Sequence, residues 1–183
     1  YLSTYRNSDN IYPVDVVKSA FYSGWEANYC WNVWGMKYTL WALIEAAMYI
    51  DDNKILEGAI KLADWIVAKF EIDGTRVKDS GVMDGMPSSS ILKPMLVLYR
   101  ITGDEILIKA AKAFYEILLK YESNILGSVG YCERYQSAAN YADSATEICD
   151  VLHWMRLCFE LFRLTGEAKY MQSFEKAFVN AYM

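Results

Sequence analysis

Phe159-Glu-Leu-Phe-Arg-Leu-Thr-Gly-Glu167 is the stretch that decides the fold of this chain, because it ends one helix and begins another. Gly166 suits the left-handed backbone position that closes a helix. Glu167 follows as an acid at the start of the next helix, where it would cap the N–H groups and face the helix's positive end. The stretch therefore predicts helix, tight turn, helix.

Two upstream segments repeat this pattern, Leu43–Tyr49 before Asp51-Asp52-Asn53 and Met95–Asp104. In the second of them Gly103 and Asp104 take the roles predicted for Gly166 and Glu167. Apolar residues continue at helical spacing after Asp104 and predict one buried stripe. Its members are Ile106, Ala110, Ala113, Phe114 and Ile117.

Helical hairpins of this kind cannot bury their apolar faces alone and must stack on their neighbours. Their spacing along the chain is irregular, and long polar loops separate them, which favours a closed toroid over an open solenoid. We predict an all-α protein in which residues 1–183 form a single helical domain. Its repeated helical hairpins would form part of an (α/α)6 toroid.

The composition excludes two classes of partner. The chain has 183 residues, 54% of them hydrophobic, and a net charge of −5 with scattered basic residues, so nucleic acid is not expected as a partner. The apolar runs are too short for a membrane span, although the start at Tyr1 leaves a lost leader open. An aromatic content of 15% suits either core packing or stacking on flat ligand faces.

Four cysteines, Cys30, Cys132, Cys149 and Cys158, are widely spaced and form no Cys-x-x-Cys pair. Reduced thiols are therefore expected, which favours the cytoplasm. Cys158 follows Cys149 by nine positions on a predicted helix, which places the two on opposite faces. One of the two is therefore expected in the core.

Glu133, Glu147 and Cys149 are the candidate chemical groups, since the last two lie at a predicted helix start and the first in the loop before it. A carboxylate carries protons or binds hard metals, and a thiolate is a nucleophile or soft ligand, so the group suggests hydrolytic or zinc chemistry. The alternative is that Glu147 caps the helix and Cys149 packs as a small apolar residue. His153 shares the helical face of Cys149 and is either support for the site or a core residue.

A second loop ends in Pro87-Ser88-Ser89-Ser90, which marks the start of a helix carrying Ile91, Met95 and Leu98. A helix start here could hold a ligand hydroxyl or oxyanion. Plain capping by the serines is the alternative.

Several of these residues carry a resemblance to a known family. Glu147-x-Cys149, Trp154-x-Arg156-Leu157 and Leu164–Tyr170, then Phe174-Glu175-Lys176 and Asn180, resemble the pattern of the β-L-arabinofuranosidase-like enzymes of glycoside hydrolase family 127. Trp34–Leu40 and Gly85–Ile91 resemble segments of one branch of that family.

The resemblance implies an (α/α)6 catalytic domain followed by a β-sandwich, and retaining hydrolysis of a glycoside. It implies a cysteine nucleophile that forms a thioglycosyl intermediate, a glutamate general acid/base, and zinc held by one glutamate and three cysteines. By position, Glu133 resembles the acid/base, and Glu147 and Cys149 resemble zinc ligands. Trp34, Lys37, Tyr38 and Ser88 are the predicted substrate-binding residues, with Lys37 and Ser88 where histidines would be expected.

The family's adjacent cysteines would lie beyond Met183, so the zinc site is expected to be incomplete in this chain, and the chain alone inactive. Between Tyr121 and Gly127 it is also shorter than the family, as in a fragment or a contracted relative. The resemblance implies a carbohydrate partner, an arabinofuranoside or another plant-glycan sugar. Exposed hairpin faces would favour self-association.

Two other functions stay open. One is a non-catalytic helical module that binds carbohydrate through Trp and Tyr or serves as a scaffold. The other is a different toroid enzyme, an epimerase or lyase, which would need a histidine-rich or tyrosine-centred site. The hydrolase hypothesis predicts that Glu133, Glu147 and Cys149 line one concavity with Trp34 or Tyr38 nearby.

Overall fold

A computed structural model describes residues 31–72, 77, 80–81, 85–130, 134–135 and 147–183. These residues are mainly helical, and the pairing of Ser123 with Val129 is an isolated antiparallel bridge and not part of a strand. The all-α prediction is confirmed for this part of the chain. Across the same residues, no helix has the length and apolar character needed to span a membrane.

The chain divides into two compact units, Tyr1–Leu98 and Tyr99–Met183. The described helices of the first unit are α1 (Asn32–Tyr49), α2 (Asn53–Val67) with a π-helical turn at Ala68–Ile72, α3 (Met86–Ser89), and most of α4 (Leu92–Thr102). Helix α1 packs against both α2 and α3. The Asp52 carboxylate begins α2 by accepting a hydrogen bond from the Lys54 N–H at 3.0 Å.

The second unit begins with the last turn of α4. Its other described helices are α5 (Glu105–Tyr121), α6 (Ile148–Thr165) and α7 (Ala168–Ala177), which ends in a π-helical turn at Phe178–Tyr182. Helix α6 packs against both α5 and α7. The toroid and the single domain over residues 1–183 stay predictions.

The glycines of the predicted tight turns are in the expected conformation. Gly103 has φ 72° and Gly166 has φ 71°, both in the left-handed region. The Gly103 N–H donates to the Tyr99 carbonyl at 2.7 Å, and the Gly166 N–H donates to the Phe162 carbonyl at 2.8 Å. These bonds satisfy carbonyls that would have no partner at a helix end, and they confirm the predicted turns.

The acids after these glycines behave differently. Asp104 Oδ1 accepts a hydrogen bond from the Ile106 N–H at 3.1 Å, as predicted. Glu167 occupies the same N-cap position but makes no side-chain cap, so that part of the prediction was wrong. The longer Glu167 side chain instead reaches the Nζ atoms of Lys169 at 3.3 Å and Lys112 at 3.4 Å.

The buried stripe of α5 is also not the predicted one. Ala113 is exposed and Ile117 is 53% exposed. The buried residues are Leu107, Ile108, Ala111, Tyr115 and Leu118. Both stripes are apolar and lie about 120° apart on the helix, so sequence periodicity cannot choose between them. Packing of Tyr115 against α6 selects the observed face, with the Tyr115 and Trp154 rings stacked at 5.1 Å.

Candidate functional site

Glu147 and Cys149 lie together at the start of α6. Glu147 is the N-cap residue, with extended backbone angles, and Cys149 is the second residue of the helix. Both side chains are partly exposed, and the Glu147 side chain makes no capping hydrogen bond. Both groups are therefore near the positive end of the helix, which favours anionic ligands and thiolates.

Cys158 is the core cysteine of α6. Its side chain is fully buried, and burial raises the pKa of the Cys158 thiol. A thiol that stays protonated cannot serve as a thiolate ligand. This confirms that Cys149 and Cys158 have different surroundings, and it leaves Cys149 as the candidate ligand of the pair. Cys30 and Cys132 lie outside the described residues.

Sequence reasoning missed Asp150, which directly follows Cys149 and is completely buried. It belongs to the same buried face of α6 as Trp154 and Leu161. The spacing of Asp150 and Trp154, four residues apart on a helix, could have indicated this position. His153 is only partly buried, so it is not a fully buried core histidine.

Glu147 and Cys149 supply two potential metal donors. Over the described ranges, no three His, Cys, Asp or Glu side chains come close enough together to hold a metal ion. Glu133, the predicted acid/base, lies outside those ranges. Its role and those of Glu147 and Cys149 stay predictions.

The loop before Glu133 is closed on itself and attached to α6. The Ser128 N–H donates to Asn124 Oδ1 at 3.1 Å, and the Asn124 N–H donates to the Ser128 carbonyl at 2.8 Å. Residues 127–130 are all buried. The Trp154 Nε1–H donates to the Gly127 carbonyl at 3.0 Å. The helix that begins at Glu147 thus also binds the backbone of this loop.

The chain also contacts a helix just after Glu133, at Tyr135. The Tyr135 ring packs edge-on against Phe114 of α5, with ring centroids 5.5 Å apart and planes at 80°. The described segments on both sides of Glu133 are therefore in contact with helices of the second unit.

An aromatic cluster at the start of α1 brings together three of the predicted substrate-binding residues. Lys37 Nζ is 4.1 Å from the centre of the Tyr38 ring and 5.1 Å from that of Trp34. The two rings meet edge-on at 4.8 Å, and Trp31 packs against Trp34 at 5.4 Å. Tyr38 is 52% exposed, whereas Lys37 is buried. We call Trp31, Trp34, Lys37 and Tyr38 the α1 aromatic cluster.

Ser88 is buried in α3, a helix that packs on α1. Its hydroxyl donates to the Ser80 carbonyl at 2.6 Å, so its proton is already used within the protein. The Ser89 and Ser90 hydroxyls likewise donate to carbonyls three residues earlier, at 2.7 and 2.6 Å. These bonds support local closure of the turn. A ligand could use only the acceptor capacity of Ser88, and substrate binding by Ser88 stays a prediction.

The α1 aromatic cluster and Ser88 belong to the first unit, and Glu147 and Cys149 to the second. A single concavity that contains both groups therefore stays a prediction.

Comparison with known proteins places the chain in a family. None of the curated proteins searched matches it. A family model described as the β-L-arabinofuranosidase, GH127 catalytic domain, matches residues 89–183, which is just over half of the chain. The match includes Glu147, Cys149 and the loop that α6 binds through Trp154. The chain belongs to the family of the glycoside hydrolase family 127 β-L-arabinofuranosidase catalytic domain.

Proposed function

We propose that the chain is part of the catalytic domain of a retaining glycoside hydrolase that acts on an arabinofuranoside-like sugar. Glu133 would be its general acid/base, and Glu147 and Cys149 would be two ligands of a zinc ion. The observation that carries the proposal is the partly exposed carboxylate and thiol in the first turn of α6, inside the family match.

The donors at this position suit zinc, which binds carboxylate oxygen and thiolate sulfur in tetrahedral sites. Two donors are half of such a site, and the other two would come from outside the described residues. When bound, zinc keeps a cysteine sulfur deprotonated at neutral pH. Glu147 would orient the ion, and the buried Asp150 and Val151, next along α6, would hold the first turn and both ligands in place.

Glu133 would move the proton. In retaining hydrolysis a carboxylic acid protonates the departing glycosidic oxygen, and the same group as a carboxylate then removes a proton from water. Such a residue needs a fixed position close to the bond that breaks. The attachments of Gly127 to Trp154 and of Tyr135 to Phe114, on either side of Glu133, support this requirement.

The α1 aromatic cluster would contact the sugar or its neighbouring residue. The exposed Tyr38 ring offers an apolar face, and Lys37 offers an ammonium donor held between two rings. The same cluster would serve a non-catalytic carbohydrate-binding module, so it supports a carbohydrate partner and not hydrolysis as such.

Replacement of Glu133 by Gln tests the hydrolase in a form of the protein that carries the adjacent cysteines, and every activity measurement, on the wild type and on each variant, uses that form. The proposal expects kcat/KM to fall by about 100-fold or more for arabinofuranosides with poor leaving groups, and by much less for activated aryl glycosides, which need little protonation. Glu175→Gln removes an exposed carboxylate from α7 and is the matched control. Undiminished hydrolysis by the Glu133 variant would contradict the proposal. Sugar binding without any hydrolysis in the wild-type protein would favour the binding module.

A further inference from the structure

Trp154 is fixed in its position by aromatic packing. Its side chain is 1% exposed, and its ring stacks on Tyr115 with centroids 5.1 Å apart and planes at 3°. Tyr115 in turn meets Tyr170 edge-on at 4.7 Å. Three buried rings from α5, α6 and α7 thus determine where the Trp154 indole lies and which way its N–H points. We call Tyr115, Trp154 and Tyr170 the core aromatic cluster.

The single polar group of this indole binds the loop and no other helix. Its N–H donates to the Gly127 carbonyl at 3.0 Å, in a buried environment where such a bond is strong and its loss is costly. Gly127 also lies against a side chain of α7. Its φ is +82°, and a Cβ added there would lie 2.5 Å from Cγ of Lys176 in α7. The loop backbone is therefore held between α6 and α7.

The loop is closed around this attachment, over residues 123–129. Asn124 and Ser128 close it through two hydrogen bonds, and the Ser123–Val129 bridge pairs its ends. Glu133 follows the buried Gly130 by only three positions. A shift of Gly127 would therefore be transmitted toward Glu133.

We propose that Trp154 is a positioning residue for the general acid/base. Through its hydrogen bond to Gly127, it fixes the loop that leads to Glu133 relative to the helix that begins at Glu147 and Cys149. The inference rests on the proposed function and adds a residue that touches neither sugar nor metal. It also gives the indole N–H a role that packing alone does not require.

Trp154→Phe removes the N–H and keeps an aromatic ring in the stack. The expected result is a fall in kcat of about 100-fold on poor leaving groups, with KM little changed, because misplacement of about 1 Å has effects of this size. Activated aryl glycosides should be hydrolysed almost normally, and the alkaline limb of the pH profile should move. A purely structural defect would instead lower the rate equally for all leaving groups.

Two further measurements make the test independent of folding. Amide hydrogen exchange in residues 124–130 should accelerate in Trp154→Phe, with helices α5 and α7 still protected. Asn124→Ala loosens the same loop without entering the core aromatic cluster, and it should show the same leaving-group dependence. Trp41→Phe is the matched control, because it removes an indole hydrogen bond, to Glu45 at 3.1 Å, at an exposed site.

The outcomes separate the two proposals. If Glu133→Gln shows the leaving-group dependence and neither Trp154→Phe nor Asn124→Ala does, the positioning role is wrong and the acid/base assignment stands. Unchanged exchange in residues 124–130 of Trp154→Phe would also overturn the positioning role. If Glu133→Gln is fully active, the proposed function fails first.

Discussion

The α1 aromatic cluster and the core aromatic cluster are both built from Trp and Tyr rings, yet their surroundings differ. In the first cluster Tyr38 is 52% exposed, its ring meets the Trp34 ring edge-on, and the Lys37 ammonium lies over the Tyr38 ring. Tyr115, Trp154 and Tyr170 in the second are at most 1% exposed. The proposed roles follow this difference, with ligand contact proposed for the α1 aromatic cluster and positioning of the loop for Trp154 of the core aromatic cluster.

The largest expected difference between the clusters is in stability. Trp154→Ala removes a buried ring and should lower the free energy of unfolding by about 3–5 kcal/mol. Trp34→Ala, at a partly exposed position, loses edge contacts with Trp31 and Tyr38 and should lower it by about 1 kcal/mol. Urea denaturation of both variants provides the measurement.

Equal effects of the two alanine substitutions would show that the α1 aromatic cluster is also a structural core. Carbohydrate affinity should change in the opposite order, with Trp34→Ala losing binding in a folded protein.

The second-largest expected effect on stability is at Gly127, in the loop beside the core aromatic cluster. Gly127→Ala should lower the free energy of unfolding by about 2–3 kcal/mol, because it strains a positive φ and crowds Lys176. Gly103→Ala is the matched control, since Gly103 has φ +72° but no atom within 4 Å of an added Cβ, and about 1 kcal/mol is expected. In a Lys176→Ala background, which removes the Cγ and Cδ atoms that an added Cβ would meet, the cost of Gly127→Ala in thermal unfolding should fall toward that of Gly103→Ala.

The smallest expected effect on stability is at Glu167, on the protein surface near the core aromatic cluster. Desolvation raises the pKa of the Glu167 carboxyl, but the ammonium groups of Lys169 and Lys112 outweigh it and hold that pKa below its usual value. The pKa of Glu167 is therefore lower in the folded protein than in the unfolded chain. The ionised carboxylate stabilises the fold fully above the unfolded-state pKa, and this stabilisation is lost as the pH falls through the folded-state pKa.

Glu167→Gln should therefore lower Tm slightly at neutral pH, and the difference from wild type should vanish in acid. Glu175→Gln on the same helix is the control for removal of an exposed carboxylate. A difference that grows toward acid pH would show that Glu167 is not stabilised by these lysines.

Local rules predicted the helix junctions well. The left-handed Gly103 and Gly166 and the Asp104 cap follow from backbone sterics and from hydrogen bonds within a few residues. Glu167 departed from the pattern because Lys169, two residues later in the chain, and Lys112 of α5 both bind its carboxylate. Local sequence contains Lys169 but does not show that Lys112 approaches the same carboxylate.

Tertiary packing explains what the sequence could not predict. Either apolar stripe of α5 satisfied helical periodicity, and only the contact of Tyr115 with Trp154 and Tyr170 selects one. At the candidate site, spacing separated Cys149 from the buried Cys158 and placed Asp150 on the helical face of Trp154, but spacing alone does not show that this face is buried. Burial depends on which helices pack on α6, which periodicity alone does not encode.

Zinc titration of the chain by calorimetry tests most directly the claim that the start of α6 is the functional centre. We expect weak binding, as for half a tetrahedral site, that weakens by more than about 10-fold in Cys149→Ala and is unchanged in Cys158→Ala, whose thiol is buried. Tight stoichiometric binding that survives Cys149→Ala would contradict it.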